Sequence, residues 1–141
     1  MNKSELIVAY ERFRKQHRLT IKELVLSAGG ALLMIGLRKE TEDLDLDISE
    51  ELYDQIKRKL CRYEGAEVRT TIMGEYIAYG DYALHRGISP DKKYVVVNGV
   101  CCYSAAEILI QKENIQRPPE HVEKLALDQQ DMAKLRERLA A

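Results

Sequence analysis

No stretch of roughly 18 to 20 apolar residues runs uninterrupted in the chain, so no membrane-spanning helix is expected. The N-terminal MNKSELIVAYERFRK has a polar or charged residue every few positions. It lacks the apolar centre and small-residue cleavage site of a secretory signal, and none is expected. A framework of spaced cysteines is missing too. The three present are Cys61, Cys101 and Cys102, the last two adjacent inside an apolar run. An odd count without metal-ligand spacing fits thiols that pack as small hydrophobes in a reducing compartment, so a cytoplasmic location is expected. Charge of one sign is also lacking: 22 Lys and Arg face 23 Asp and Glu, a formal net charge of −1. No global field draws the chain onto nucleic acid, and any such contact must come from a local patch, such as Arg12 to Arg18 or Lys57 to Arg62. No internal repeat or low-complexity segment is visible. What remains is a chain of 141 residues, 45% apolar, which is enough for one domain around one core.

Residues 4 to 17 repeat at helical spacing, with Leu6, Tyr10, Phe13 and His17 on one face and Ser4 as the expected cap. Thr20 caps a short segment through Ile21, Leu24, Val25 and Leu26. Gly29-Gly30 is expected to end it, since consecutive glycines permit positive φ. An apolar helix is expected from Ala31 to Leu37. Asp43 to Ile48 then alternates strictly, which is strand periodicity, with Leu44, Leu46 and Ile48 on one side and Asp43, Asp45 and Asp47 on the other. Ser49 caps a helix over about Glu50 to Arg62, and Gly65 stops it. Strands are expected at Val68 to Met73, Tyr76 to Tyr79, Tyr82 to His85 and Tyr94 to Val97. Asn98-Gly99 is a primed-turn hairpin signal. Ser104 caps a helix to about Gln116, Pro118-Pro119 breaks the chain, and a last helix covers His121 to Ala140. The expected fold is α/β (α+β), a mixed sheet flanked by helices. It is one domain over 1–141: an N-terminal helix in 1–19, a sheet core in 20–100 and C-terminal helices in 104–141.

The acidic strand departs most from local propensity, because Asp is a poor strand former. Carboxylates two residues apart project side by side and repel unless a cation neutralises them. Mg²⁺ takes such hard oxygen ligands, usually one or two carboxylates completed by substrate phosphates. A solvent-facing strand with incidental aspartates is the competing reading. An EF-hand is excluded, because the central Gly and terminal Glu are missing from their positions. Gly29-Gly30 adds to the metal reading: it feeds a helix twelve residues before Asp43, and a glycine turn at a helix start offers backbone N–H groups to phosphate oxygens.

Leu26-Ser27-Ala28-Gly29-Gly30-Ala31-Leu32, Gly36-Leu37-Arg38, Thr41 and Asp43-Leu44-Asp45-Leu46 together resemble the nucleotidyltransferase superfamily of the polymerase-beta type. The most similar branch holds AbiE-type abortive-infection toxins and the lincosamide and aminoglycoside nucleotidyltransferases. Ser104-Ala105-Ala106-Glu107-Ile108-Leu109 with Gln111-Lys112, and Asp128-Gln129-Gln130-Asp131-Met132, resemble its lysine-bearing and final Asp-x-x-Asp helices. The likeness spans roughly residues 20 to 140. It implies a nucleotidyltransferase-like fold that transfers an NMP from an NTP with Mg²⁺, one ion or two.

By that resemblance Asp43 and Asp45 bind Mg²⁺ and act in catalysis. Ser27, Gly29 and Gly30 cradle the triphosphate, and Arg38 and Lys112 are nucleotide-binding candidates, Lys112 through phosphate or through a carboxylate of the site. Asp47 is expected to be structural or solvent-facing. A third carboxylate is expected from a later strand: Asp81 first, with Glu75 and Asp91 as alternatives, although Gly80-Asp81 also reads as a plain hairpin turn. His85 shares a strand face with Asp81 and reads as an ordinary packed or surface residue. Asp131 is expected to hold the last helix in place. The acceptor (RNA, a small molecule or a protein) stays open, as does a homodimer. A non-catalytic binding or regulatory protein, of the toxin-antitoxin or defence kind, is the alternative to an enzyme.

Overall fold

The computed structural model describes residues 1–72, 74–88, 93–115 and 117–141. Helix α1 (Lys3–Gln16) is capped by Asn2 rather than Ser4. The Asn2 side chain accepts from Glu5 N at 2.9 Å, and Glu5 Oε1 accepts from Asn2 N at 3.1 Å. This reciprocal box needs an acid three residues after the cap, and the residue three after Ser4 is Ile7. The capping box of Thr20 and Glu23 opens a single 3₁₀ turn, Ile21–Glu23, before strand β1 (Leu24–Leu26). Then come α2 (Ala28–Met34), β2 (Leu44–Ile48), α3 (Glu50–Tyr63), β3 (Glu67–Thr71), β4 (Gly74–Tyr79), β5 (Tyr82–Arg86), β6 (Tyr94–Val97), β7 (Val100–Tyr103), α4 (Ala105–Asn114) and α5 (Val122–Ala140). The sheet therefore runs to Tyr103, a little past the expected limit at residue 100.

The seven strands form one mixed sheet in the order β3-β4-β5-β2-β1-β7-β6. Pairs β2–β5 and β1–β7 are parallel, and the other neighbours are antiparallel. The hairpin expected at Asn98-Gly99 joins β6 to β7 with φ of 50° and 77°, the left-handed values that such turns require.

Register sorts the side chains into two faces. Leu24 and Leu26 align with Ile48 and Leu46, and Leu44, Leu46 and Ile48 align with Tyr82, Leu84 and Arg86. The leucines and Ile48 of this set are fully buried. Helix α1 covers this face, where Tyr82 Oη donates to Ala9 O at 2.9 Å. Helix α3 covers it too, with Arg86 lying 4.5 Å over the Tyr53 ring. Between β1 and β7, paired at Leu26 and Cys102, the Tyr10 hydroxyl is inserted. It donates to Leu24 O at 2.7 Å and accepts from Cys101 N at 3.4 Å. The second face presents Asp45, Asp47 and His85.

The diglycine does not break the chain. Gly29 and Gly30 lie inside α2, and the left-handed residue is Ala28, with φ of 51°. Close approach explains the glycines instead. A Cβ on Gly29 would stand 2.5 Å from Arg38 Nη1 and 3.0 Å from Thr41 Oγ1, and one on Gly30 would stand 2.8 Å from Leu26 Cδ1.

Candidate functional site

Because β2 alternates with period two, its buried leucines force Asp45 and Asp47 onto the open face, both half-buried. Asp43 precedes the strand and is exposed. The end of β1 lies against the start of β2: Ser27 N donates to Asp45 O at 2.8 Å, and Ser27 Oγ donates to the same oxygen at 3.2 Å. The start of α2 is thereby fixed to the acidic strand. On the other side of β2, Leu44 N donates to Asp81 O at 2.8 Å, which fastens the β4–β5 turn beside Asp43. Ser27, the α2 glycines, Asp43, Asp45 and Asp81 thus gather at one end of the sheet.

Partial burial raises the Asp43 carboxyl above its usual range, and the charges of Asp45, Glu42 and Asp81 raise it further, with Lys124 partly offsetting them. Among the described residues no hydrogen bond or ion pair holds the Asp43 carboxylate. Asp45 Oδ1 lies 3.5 Å from His85 Nε2. Burial works against the imidazolium, but Asp45 and Asp47 outweigh it, so the net direction for His85 is upward. Its ring stacks on Tyr76, with centroids 5.4 Å apart. Asp47 accepts from the buried Tyr103 hydroxyl, whose own ionisation burial pushes up strongly.

Asp81 occupies the turn between β4 and β5, and its charge is felt at Asp43. Glu75 stands elsewhere, at the far end of β4 from that turn. Tyr53 donates to its Oε1 at 3.1 Å and Lys57 at 2.8 Å, both from α3, and these bonds depress its pKa. Asp91 lies outside the described residues.

Lys112 is buried. Its Nζ lies 2.8 Å from Asp128 Oδ1 and 3.3 Å from Asp131 Oδ2. Of the two partners that the resemblance allows it, phosphate or carboxylate, the structure supplies carboxylates, and they belong to α5. Arg38 grips Asp131 with two prongs, Nε to Oδ1 at 3.3 Å and Nη2 to Oδ2 at 2.5 Å, while its Nη1 lies over Gly29. Arg117 also pairs with Asp128. The roles of Arg117 and of His85 against Asp45 were not foreseen. Arg117 immediately precedes Pro118-Pro119, with no periodicity to place it. His85 had one signal, its shared strand parity with Asp81.

Among solved structures the chain is similar over nearly its whole length to ANT(2'')-Ia, an antibiotic-resistance factor. A crystal structure of ANT(2'')-Ia in complex with adenylyl-2''-tobramycin matches with a TM-score of 0.53 and 16% identity, over 96% of this chain and 99% of that one. A solution structure of the antibiotic-resistance factor ANT(2'')-Ia matches with a TM-score of 0.52 and 19% identity, over 99% of this chain and 95% of that one. The chain has a nucleotidyltransferase-like fold. No protein-family model matches it, and no curated protein matches it significantly. Identity this low carries the fold and not the chemistry, which has to be argued from the residues of this nucleotidyltransferase-like chain.

Proposed function

We propose that the chain is a magnesium-dependent nucleotidyltransferase that moves a nucleoside monophosphate from an NTP to a hydroxyl or phosphate acceptor and releases pyrophosphate. The observation that carries this reading is the placement of Asp43 and Asp45 on either side of Leu44, whose N–H is bonded to Asp81 O, with Ser27 at the start of α2 bonded to Asp45 O. Carboxylates held together without a cation repel each other, and a divalent ion reverses that cost. The donor set fits Mg²⁺, which commonly binds one or two carboxylates plus substrate phosphates. Asp43 and Asp45 would hold it, and the same pair would serve a second ion if two are used. When bound, magnesium would neutralise charge on the triphosphate.

The chain's own residues supply position. The Ser27 bonds to Asp45 O hold the β2 backbone and the start of α2 at a fixed separation, and Gly29 and Gly30 let Arg38, Thr41 and Leu26 pack directly against α2. Asp81 would take the proton from an acceptor hydroxyl. The acceptor oxygen would bond to the α-phosphorus while the bond to the pyrophosphate oxygen breaks in line. Catalysis of this kind is mostly alignment and charge complementarity. The nucleotide-modified compound bound to the structurally similar ANT(2'')-Ia supports an NTP as substrate. The acceptor class, whether RNA, small molecule or protein, is left to experiment.

Incubation with labelled NTPs, Mg²⁺ and cell extract tests this reading. Wild type should release pyrophosphate and label an acceptor, and Asp45→Asn should lose at least about a hundredfold in rate. Full activity in that variant would remove Asp45 from the mechanism. A second reading, a non-catalytic nucleotide-binding or regulatory protein of the defence kind, is favoured by one observation. Among the described residues no group of three or more His, Cys, Asp or Glu side chains is placed to hold a metal ion. Calorimetric NTP binding with no pyrophosphate release would select it.

A further inference from the structure

Five charged side chains join α2, α4 and α5 beneath the diglycine helix. Asp131 is 1% exposed and Asp128 is 3% exposed. Asp128 takes Lys112 and Arg117, and Asp131 takes Arg38 and shares Lys112. A buried ion cluster of this kind is weak evidence for stability as such, since desolvation cancels much of the attraction. Its geometry is more informative than its energy. The two carboxylates are three residues apart on α5 and so share one helix face, but their partners differ. Asp128 ties α5 to α4 and to the segment after α4. Asp131 is the carboxylate that reaches Arg38, and it does so through a planar fork, which fixes the guanidinium in orientation as well as distance. The guanidinium's third nitrogen, Nη1, then lies so close to Gly29 that even a methyl group there would collide at 2.5 Å.

The geometry points to Asp131 as a positioning residue: by forking Arg38 it sets the guanidinium against Gly29 and so fixes the turn of α2 at which the nucleotide's phosphates would lie. This rests on the proposed nucleotidyl transfer for its consequence, but the coupling of Asp131 to the diglycine turn stands without it. Asp131 touches no substrate and acts through Arg38. The charge count agrees with this role: three cations share two carboxylates, so Arg38 is held in place without being neutralised by a partner of its own.

Two neutralising variants separate positioning from mere anchoring. Asp131→Asn and Asp128→Asn each remove one buried carboxylate of the same α5 face, and only the first releases Arg38. Amide hydrogen exchange over residues 28–34 of the nucleotide-free full chain is the first readout. Asp131→Asn should speed exchange there by about tenfold, and Asp128→Asn should leave it at the wild-type rate while lowering Tm comparably. Mg-ATP is the second probe. Asp131→Asn should raise its KM about tenfold with kcat within about twofold, and Asp128→Asn should change neither. Arg38→Lys, which keeps the charge and loses the fork, should give intermediate exchange, and it decides the question if Asp131→Asn fails to fold. Equal effects of the Asp131 and Asp128 variants on residues 28–34, or wild-type exchange in both Asp131→Asn and Arg38→Lys, would overturn the inference. A wild-type chain that binds no Mg-ATP would defeat the proposed function, and the exchange result would still decide the coupling.

Discussion

Ionised Asp43 has lost part of its water and faces Asp45, Glu42 and Asp81. A carboxyl whose folded pKa lies above its ordinary value of 3.8 holds its proton more tightly in the folded chain than in the unfolded one. Its charge therefore opposes folding, starting as pH rises through the ordinary value and fully above the raised one. Asp43→Asn should stabilise the metal-free protein at neutral pH by up to about 1 kcal/mol, the scale of exposed charge interactions. Urea denaturation should show that gain vanish near pH 3, where both forms are protonated (about one unit below the ordinary value). A variant that is more stable and less active is the expected signature of a residue kept for chemistry. His85 belongs to the same scale: it lies against Asp45 and stacks on Tyr76 at the surface of the sheet.

At the level of elements, the joint between β1 and β7 depends on α1. Tyr10 bridges Leu24 O and Cys101 N with one buried hydroxyl, and burial pushes that phenol's pKa well up, so it stays protonated and able to donate. Tyr10→Phe keeps the ring and leaves both backbone groups short of a partner. It should cost about 1 to 3 kcal/mol, read as a lower urea midpoint with an unchanged slope. Helix α5 answers to acid. Burial alone would raise the Asp128 pKa, but Arg117 and Lys112 outweigh it and the net shift is downward. A depressed carboxyl contributes stability above its ordinary value of 3.8 and loses it as pH falls through the lower folded value. Amide exchange in α5 should therefore accelerate in that window ahead of exchange in β2, whose buried leucines do not titrate.

For the whole molecule, the candidate site lies where one sheet end, one short helix and one hairpin turn meet, and His85 beside Asp45 and the charge of Lys124 near Asp43 offset its carboxylates only in part. Ligand and fold should then be linked. At a hundredfold excess over its Kd, the right Mg-NTP should add about 2.7 kcal/mol, or roughly 10 °C in Tm for a chain of this length. Thermal scans with each NTP, with and without a chelator, check this and rank the nucleotides. A shift that survives chelation would place the nucleotide elsewhere or remove the metal from its binding.

The strict alternation of Asp43 to Ile48 was enough to decide that Leu44, Leu46 and Ile48 are buried and the aspartates are not, because a strand has only two faces and apolar area must take one of them. The caps at Thr20 and Ser104 and the turn at Asn98-Gly99 were legible for a similar reason: each depends on residues a few positions apart. Partners far apart in the chain were not legible. Nothing near Arg38 or Lys112 announces Asp131 or Asp128, nothing near Glu75 announces Lys57, and the glycines of α2 looked like a break until Arg38, Thr41 and Leu26 stood against them. Those assignments turn on which side chains the packed chain brings within a few ångströms, and that is set by the layering of sheet and helices rather than by any local run of residues.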